Sequence, residues 1–236
     1  MKKKKKRCGY QIKKRYKESL KKTIINDVLS ISKKNIDDQA YGISVLSEND
    51  RLFNESNDVR DALLNVTKSC NDILVPNGYI SVAILFMDLI KYSKSNLSKD
   101  SYIFPALFCF RQYLELVIKK SILFFRRWDT TPIEGESDFK THNLVDLWNK
   151  LKIHITPIDA EVQNVERLIY ELNEIDSDGS TFRYDYGLNN LFTSKKKKII
   201  DGLINVDVLK TRMLQLYLFF DGIDENARIA FDNNNE

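Results

Sequence analysis

Apolar residues recur along most of this 236-residue chain at intervals of three and four, which places them on one face of an α-helix. The chain has only 8 Gly and 4 Pro residues, too few for the many turns of an all-β protein. Pro76 and Gly78, in the stretch VPNGY, predict a break between the first two helices of the main domain. The sequence therefore predicts an all-α fold, with helices at about 58–74, 80–94, 104–127, from Thr141, at 158–175 and at 207–220.

The first 34 residues differ from the rest of the chain in charge. They hold 14 of the 37 Lys and Arg residues and 2 of the 33 acidic residues, so 23 basic and 31 acidic residues remain beyond them. We predict a basic helical arm over 1–34, a linker or loop over 35–57 and a helical domain over 58–236. Solvent-facing lysines explain the arm most simply, and contact with nucleic acid or an anionic surface is the alternative.

Cysteine spacing and hydropathy predict the compartment. The three cysteines lack the paired spacing of a zinc site or a disulfide framework. Charged residues interrupt every apolar stretch before it reaches the length of a membrane span, and no apolar run follows the lysine-rich start as in a signal peptide. We therefore expect a cytoplasmic protein without a membrane span.

Several motifs that define large enzyme classes are missing from the sequence. It contains no GxxxxGK[ST] or GxGxxG nucleotide loop, no HExxH zinc motif and no GxSxG nucleophile motif. The stretch EIDSDGSTFRYD at 174–185 approximates a calcium-binding EF-hand loop, but it begins with Glu and ends with Asp where that loop needs a bidentate Glu. We therefore expect neither a metal site nor a cofactor.

A stripe of charged residues interrupts the most apolar predicted helix. Arg111, Glu115 and Lys119 follow one another at intervals of four within 104–127, so they share one face of that helix. The stripe either faces water as a line of salt bridges or is a buried polar line with a functional task.

Three short segments in this order resemble bacterial HEPN-domain proteins: FRQYLELVIKK at 110–120, THNLVDLW at 141–148 and ELNEIDSDGSTFRYD at 171–185. The resemblance covers about residues 80–220. It implies an antiparallel helical bundle that forms a homodimer, that occurs in toxin, abortive-infection and CRISPR-associated defence systems, and that in many members cleaves RNA without a metal. The ribonuclease motif of the family, an Arg followed after four to six residues by a His, is missing, because no Arg precedes His142 or His154 at that distance.

RNA cleavage without a metal needs a proton acceptor, a proton donor and cations near the phosphate. The candidate catalytic residues are His142 as base or acid, Arg111 and Arg183 as phosphate ligands, and Tyr184 as proton donor or stacking platform. The supporting candidates are Glu115, Lys119, Asp176 and Ser180. A structural alternative explains the same residues: a salt-bridge line on the helix, His142 at a helix start that Thr141 caps, and a turn in which Arg183 pairs with Asp176.

Two further basic clusters could follow a phosphate backbone. Arg126 and Arg127 lie in the stretch FFRRW, and Lys195, Lys196, Lys197 and Lys198 form a run in a turn-rich segment that can hold a short hairpin near 181–193. Solvent-facing loop lysines explain that run equally well.

Three functional hypotheses follow from the sequence. The first is a HEPN-like component of a bacterial defence or toxin system that acts as a metal-independent endoribonuclease or on another phosphodiester. The alternative is a non-catalytic HEPN-like module that binds a partner protein, encoded in the same defence operon, or a nucleotide. The third is nucleic-acid binding through the basic arm alone.

Overall fold

The computed structural model describes residues 71–128, 139–183 and 203–234, which all lie in one compact unit, Val66–Glu236. This part of the chain contains no strand and forms five helices: α1 (Asn71–Tyr92), α2 (Asn96–Trp128), α3 (Leu144–Lys152), α4 (Ala160–Ile175) and α5 (Val206–Asn234). The predicted all-α fold is therefore confirmed for the described residues.

Several predictions fall on other parts of the chain. The basic arm at 1–34, the linker at 35–57 and the start of the helix predicted from 58 lie outside the described residues. Of the hairpin predicted near 181–193, only 181–183 are described, and they form a turn.

Helix α1 continues through the predicted break at VPNGY. The prediction of separate helices at 58–74 and 80–94 is wrong at this junction, because α1 begins at Asn71 and includes both Pro76 and Gly78. Pro76 cannot donate a backbone hydrogen bond, but it is buried and lines a groove with Tyr113 and Val117 of α2. Packing against the neighbouring helix has overridden the local preference for a break.

Helices α1 and α2 form an antiparallel helical hairpin. Only residues 93–95 connect them, Pro76 and Val117 line the same groove, and the rings of Phe86 and Tyr102 are 5.7 Å apart. Helix α2 begins eight residues before the predicted start at 104. The hydroxyl of Ser95 accepts a hydrogen bond from the backbone N–H of Ser98 at 3.3 Å, which helps to cap this earlier start.

Helix α5 packs on both members of this hairpin. Lys91, near the end of α1, bonds Asp207, near the start of α5, at 2.6 Å, so the two helices run antiparallel. Helix α5 is consequently parallel to α2, and Lys120 of α2 pairs with Asp224 of α5. These three helices form the frame on which the shorter helices pack.

Helices α3 and α4 close the core. Trp148 of α3 is fully buried, and its ring lies 6.2 Å from that of Phe219 and 6.5 Å from that of Phe220 on α5. Helix α4 buries Val162, Val165 and Ile169. The apolar side of α3 therefore holds the start of this helix close to the middle of α2.

One stretch of the described residues, Leu74–Tyr92, is long and apolar enough to cross a membrane by length and composition. Ala83, Met87 and Ile90 from this stretch lie in the core of the bundle. Packing in a helical core accounts for such an apolar composition, so the stretch is weak evidence for a membrane span.

Gly78 provides a test of the continuous α1 helix. A Cβ atom added at Gly78 would meet no atom within 4 Å, and Ala is the better helix former by about 0.5–1 kcal/mol. We expect Gly78→Ala to raise the free energy of unfolding by about that amount in urea titrations. Gly222→Ala in α5, where a Cβ is equally unobstructed, is the matched variant and should act in the same direction. A loss of stability in Gly78→Ala alone would show that α1 is broken there, as the sequence predicts.

Candidate functional site

The charged stripe of α2 points inward. Arg111 has no exposed surface, Glu115 is almost fully buried, and the Lys119 side chain keeps 18% of its surface exposed. The three residues also bond in sequence, since Glu115 accepts from Arg111 through Oε2 and from Lys119 through Oε1, both at 2.8 Å. The sequence left two alternatives for this stripe, a line of salt bridges that faces water and a buried polar line. In the structure the line is buried.

Arg111 connects three separate segments of the chain. Besides its bond to Glu115, its Nη2 donates to the backbone carbonyl of His142, and its Nε donates to the backbone carbonyl of Asp176 at 3.3 Å. The Nε atom also lies 3.8 Å from the Asp176 carboxylate. A planar guanidinium can hold these acceptors in fixed directions. Because Arg111 is sealed from solvent, this geometry suits a positioning role and leaves it no access to a bound phosphate.

Glu115 joins the imidazole of His142 to the network. Its Oε1 lies 2.9 Å from Nδ1 of His142. Burial by itself raises the pKa of Glu115, but the hydrogen bond and charge of Lys119, the charge of Arg111 and the hydrogen bond of His142 outweigh it and hold the pKa below its usual value. Glu115 is therefore ionised at neutral pH, so Nδ1 must carry the hydrogen of this bond.

His142 is fixed through both its backbone and its ring. Its carbonyl accepts from Arg111 and its Nδ1 bonds Glu115, while 64% of its side-chain surface remains exposed. No hydrogen bond joins Nε2 to another of the described residues. The ring of His142 is therefore accessible, and in its neutral form the unprotonated nitrogen is Nε2.

The start of α3 differs slightly from the prediction. The helix begins at Leu144, and its N-cap is Asn143, whose side-chain oxygen accepts from the N–H groups of Val145 and Asp146. Thr141, the predicted cap, instead accepts from the N–H of Asn143 at 3.1 Å. His142 thus precedes the cap rather than lying in the first turn. Asn143 was the residue to expect, because Asn is a stronger N-cap than Thr.

The segment after α4, residues 176–183, covers the buried arginine. Asp176 accepts from the N–H of Thr181 at 3.0 Å, and Gly179 is buried with a φ of +75°. A Cβ at Gly179 would lie 3.5 Å from Cζ of Arg111. Asp178 accepts from both the N–H and the hydroxyl of Ser180. Residues 176–183 of the sequence that approximates a calcium loop therefore form a tight turn over Arg111.

Arg183 lies at the end of this turn. Its Nε donates to the carbonyl of Gly179 at 2.8 Å, and its guanidinium lies 5.9 Å from the ring centre of Phe108. The residue is exposed and lies beside the network. The sequence suggested that Arg183 pairs with Asp176, whereas its Nε bonds the carbonyl of Gly179.

Five of the predicted site residues meet in one network: Arg111, Glu115, Lys119, His142 and Asp176. Ser180 and Arg183 belong to the turn that covers it. Arg126 lies over the ring of Phe139, 5.4 Å from its centre. Tyr184, Lys195, Lys196, Lys197 and Lys198 lie outside the described residues, as does the side chain of Arg127.

Asn173 is a member of the site that the sequence did not suggest. Its side-chain oxygen accepts from the N–H of Leu144 at 3.0 Å, which ties the end of α4 to the start of α3. An Asn inside an amphipathic helix gives no signal of such a distant bond. Within the described ranges, no group of three or more His, Cys, Asp or Glu residues is placed to hold a metal ion.

Comparisons of the chain with models of protein families, with curated proteins and with solved structures gave no match. Function is therefore inferred from the side chains themselves.

Replacing Arg111 tests its positioning role. We expect Arg111→Met to lower the free energy of unfolding by about 3–5 kcal/mol, because it leaves Glu115 and Asp176 buried without their shared cation. Arg167→Met is the control, since Arg167 pairs with Glu171 at 3.9 Å with both side chains about two-thirds exposed, a pair worth less than about 1 kcal/mol. Urea unfolding measures both, and equal losses would contradict the special role of the buried arginine.

The lowered pKa of Glu115 predicts an acid-sensitive contribution to stability. A carboxyl group whose pKa is lower in the folded state stabilises the fold above its unfolded pKa of about 4.3 and loses that contribution as the pH falls through the folded value. We therefore expect Glu115→Gln to show a shallower loss of unfolding free energy below about pH 5 than the parent protein. Glu171→Gln, at an exposed ion pair, should keep the parent's slope; the same slope in all three proteins would refute the prediction.

Proposed function

We propose that this protein is a cytoplasmic, HEPN-like component of a bacterial defence or toxin system that cleaves RNA without a metal, with His142 as the proton-transfer residue. The observation that carries the proposal is an exposed imidazole held by a buried charged network. A homodimer, and contact with RNA or a partner protein of the same system, belong to the same proposal.

The network is better explained by what it positions than by the stability it adds. A buried Arg–Glu pair gains little over apolar residues of similar volume, because removing two charges from water is costly. Here the pair instead fixes both the backbone and the ring of one exposed residue, His142. A carboxylate that holds Nδ1–H leaves Nε2 as the acceptor, which is the arrangement that a general base needs.

The chemistry can be assigned to the candidate residues of the sequence, of which Tyr184 lies outside the described part of the chain. Nε2 of His142 takes the proton of a ribose 2′-hydroxyl, and the resulting oxygen attacks the adjacent phosphorus. The bond to the 5′-oxygen breaks, and that oxygen receives a proton from Tyr184 or from water. Lys119 and Arg183, both with exposed surface, would be the cations that contact the phosphate, while Arg111 and Asp176 position the histidine. The product would carry a 2′,3′-cyclic phosphate.

A non-catalytic interaction module is the second candidate. The burial of Arg111 favours this candidate. The ribonuclease motif of HEPN proteins uses an arginine together with its histidine, whereas Arg111 is buried and bonds only groups of the protein itself. In that case the fixed His142 ring would be part of a surface that recognises a partner protein or a nucleotide.

The two histidines of the chain give a matched test of catalysis. With RNA as substrate and EDTA present, we expect cleavage to a cyclic phosphate, and a loss of at least about 100-fold in His142→Ala, the usual size of an acid–base contribution. His154→Ala is the control, because the ring of His154 is stacked on Phe125 at 5.4 Å and has no place in the proposed mechanism.

Two results would overturn the catalytic proposal. Cleavage that persists unchanged in His142→Ala would remove the histidine from the mechanism. A folded full-length protein that leaves RNA intact while forming a stable complex with a protein from its own operon, lost in His142→Ala, would support the interaction module instead.

A further inference from the structure

Residues of α2, α4 and α5 line a cavity whose lining includes no member of the His142 network. It has a volume of about 410 Å³. Leu107 and Phe110 of α2, Leu172 of α4, and Val208 and Met213 of α5 form much of its wall. Volumes of about 300–1,000 Å³ with mostly apolar walls are typical of small-molecule sites.

Part of this apolar wall remains in contact with solvent. Val208 has 50% of its surface exposed, and Leu203, at the rim, is fully exposed. Apolar surface grouped around a concave site is what a ligand's apolar part can cover, whereas isolated exposed apolar residues need no such explanation. The described lining is therefore suited to an apolar chain.

Two arginines give this cavity a charge preference. Arg167 of α4 and Arg212 of α5 both line it, and Glu171 is the one carboxylate among its described lining residues. Arg167 lies 3.9 Å from Glu171 with both side chains about two-thirds exposed, so this pair is weak. Arg212 donates to the neutral side chain of Gln215 at 2.7 Å. Both guanidinium groups can therefore donate hydrogen bonds to an anionic ligand.

We propose that this cavity binds an anionic amphiphile, with its aliphatic chain against the apolar walls and its carboxylate between Arg167 and Arg212. The walls are mainly aliphatic, which suits a flexible hydrocarbon chain. The side-chain oxygen of Asn205, the one amide among the described lining residues, already accepts from the N–H of Val208 at 3.1 Å and is not free to recognise the edge of a nucleotide base. The chemistry of the lining therefore favours a single-chain carboxylate.

Isothermal titration of the full-length protein with decanoate, below its micelle concentration, tests this site. We expect saturable binding with one ligand per chain. The double variant Arg167→Ala/Arg212→Ala should weaken decanoate binding at least tenfold and change decanol binding less than twofold, because decanol keeps the chain and lacks the charge. Val208→Trp, which fills the cavity from a half-exposed position, should weaken both ligands at least tenfold.

A second double variant controls for the loss of two cations. Lys94→Ala/Lys99→Ala removes the same charge at positions outside the cavity lining and should bind decanoate like the parent protein. Circular dichroism melting confirms that each variant is folded. The proposal is overturned if the parent protein does not bind decanoate, if both double variants weaken it equally, or if decanol is weakened as much as decanoate by the loss of the arginines.

Discussion

The burial of one guanidinium group is the interaction on which the rest of this site depends. Arg111 has no exposed surface, yet it lies at the point where α2, the start of α3 and the end of α4 meet. A cation in that position would be very unfavourable without acceptors, so the surrounding chain must supply them. Glu115 provides a carboxylate, and the segments around His142 and Asp176 provide backbone carbonyls. The requirement to satisfy Arg111 thereby fixes the relative positions of three segments.

Other features of the structure follow from that requirement. Gly179 allows the turn after α4 to lie over the guanidinium, because a side chain at its positive φ would be strained. Asn143 and Asn173 then satisfy the N–H groups at the start of α3, which holds the backbone of His142 at the end of the network. The result is an exposed ring on a rigid support, which is a common condition for acid–base chemistry.

Much of the fold could be predicted from the pattern of the sequence, and the reasons for the failures are physical. Helical periodicity locates α4 and the core of α2 well, because each buries one face of an amphipathic helix. The break at Pro76 was predicted from local preference, whereas the packing of that residue against α2 decides the outcome. The four-residue spacing of Arg111, Glu115 and Lys119 also predicts that they share a face, but spacing gives no information on whether that face is buried.

The convergence of distant residues was the least predictable part. His142 and Asp176 lie 31 and 65 residues from Arg111 along the chain, and only the packing of α3 and α4 on α2 brings them together. The sequence suggested these residues through the spacing of the stripe and through a resemblance, and it assigned Arg111 to a phosphate because arginine usually serves that purpose in such sites. The burial of Arg111 changes that assignment, because a buried arginine can act on a phosphate only through the residues whose positions it fixes.

The protonation state of the His142 ring tests this account most directly. Long-range proton–nitrogen NMR spectra resolve the two ring nitrogens of each histidine, and His142→Ala assigns the signals of the two histidines in the chain. At a pH where the imidazole is neutral, the account predicts that His142 carries its proton on Nδ1 and that Glu115→Gln abolishes this preference, while His154 is unaffected. A His142 ring protonated on Nε2, or one whose spectrum is the same with and without the Glu115 carboxylate, would contradict the central claim that the buried network orients this histidine.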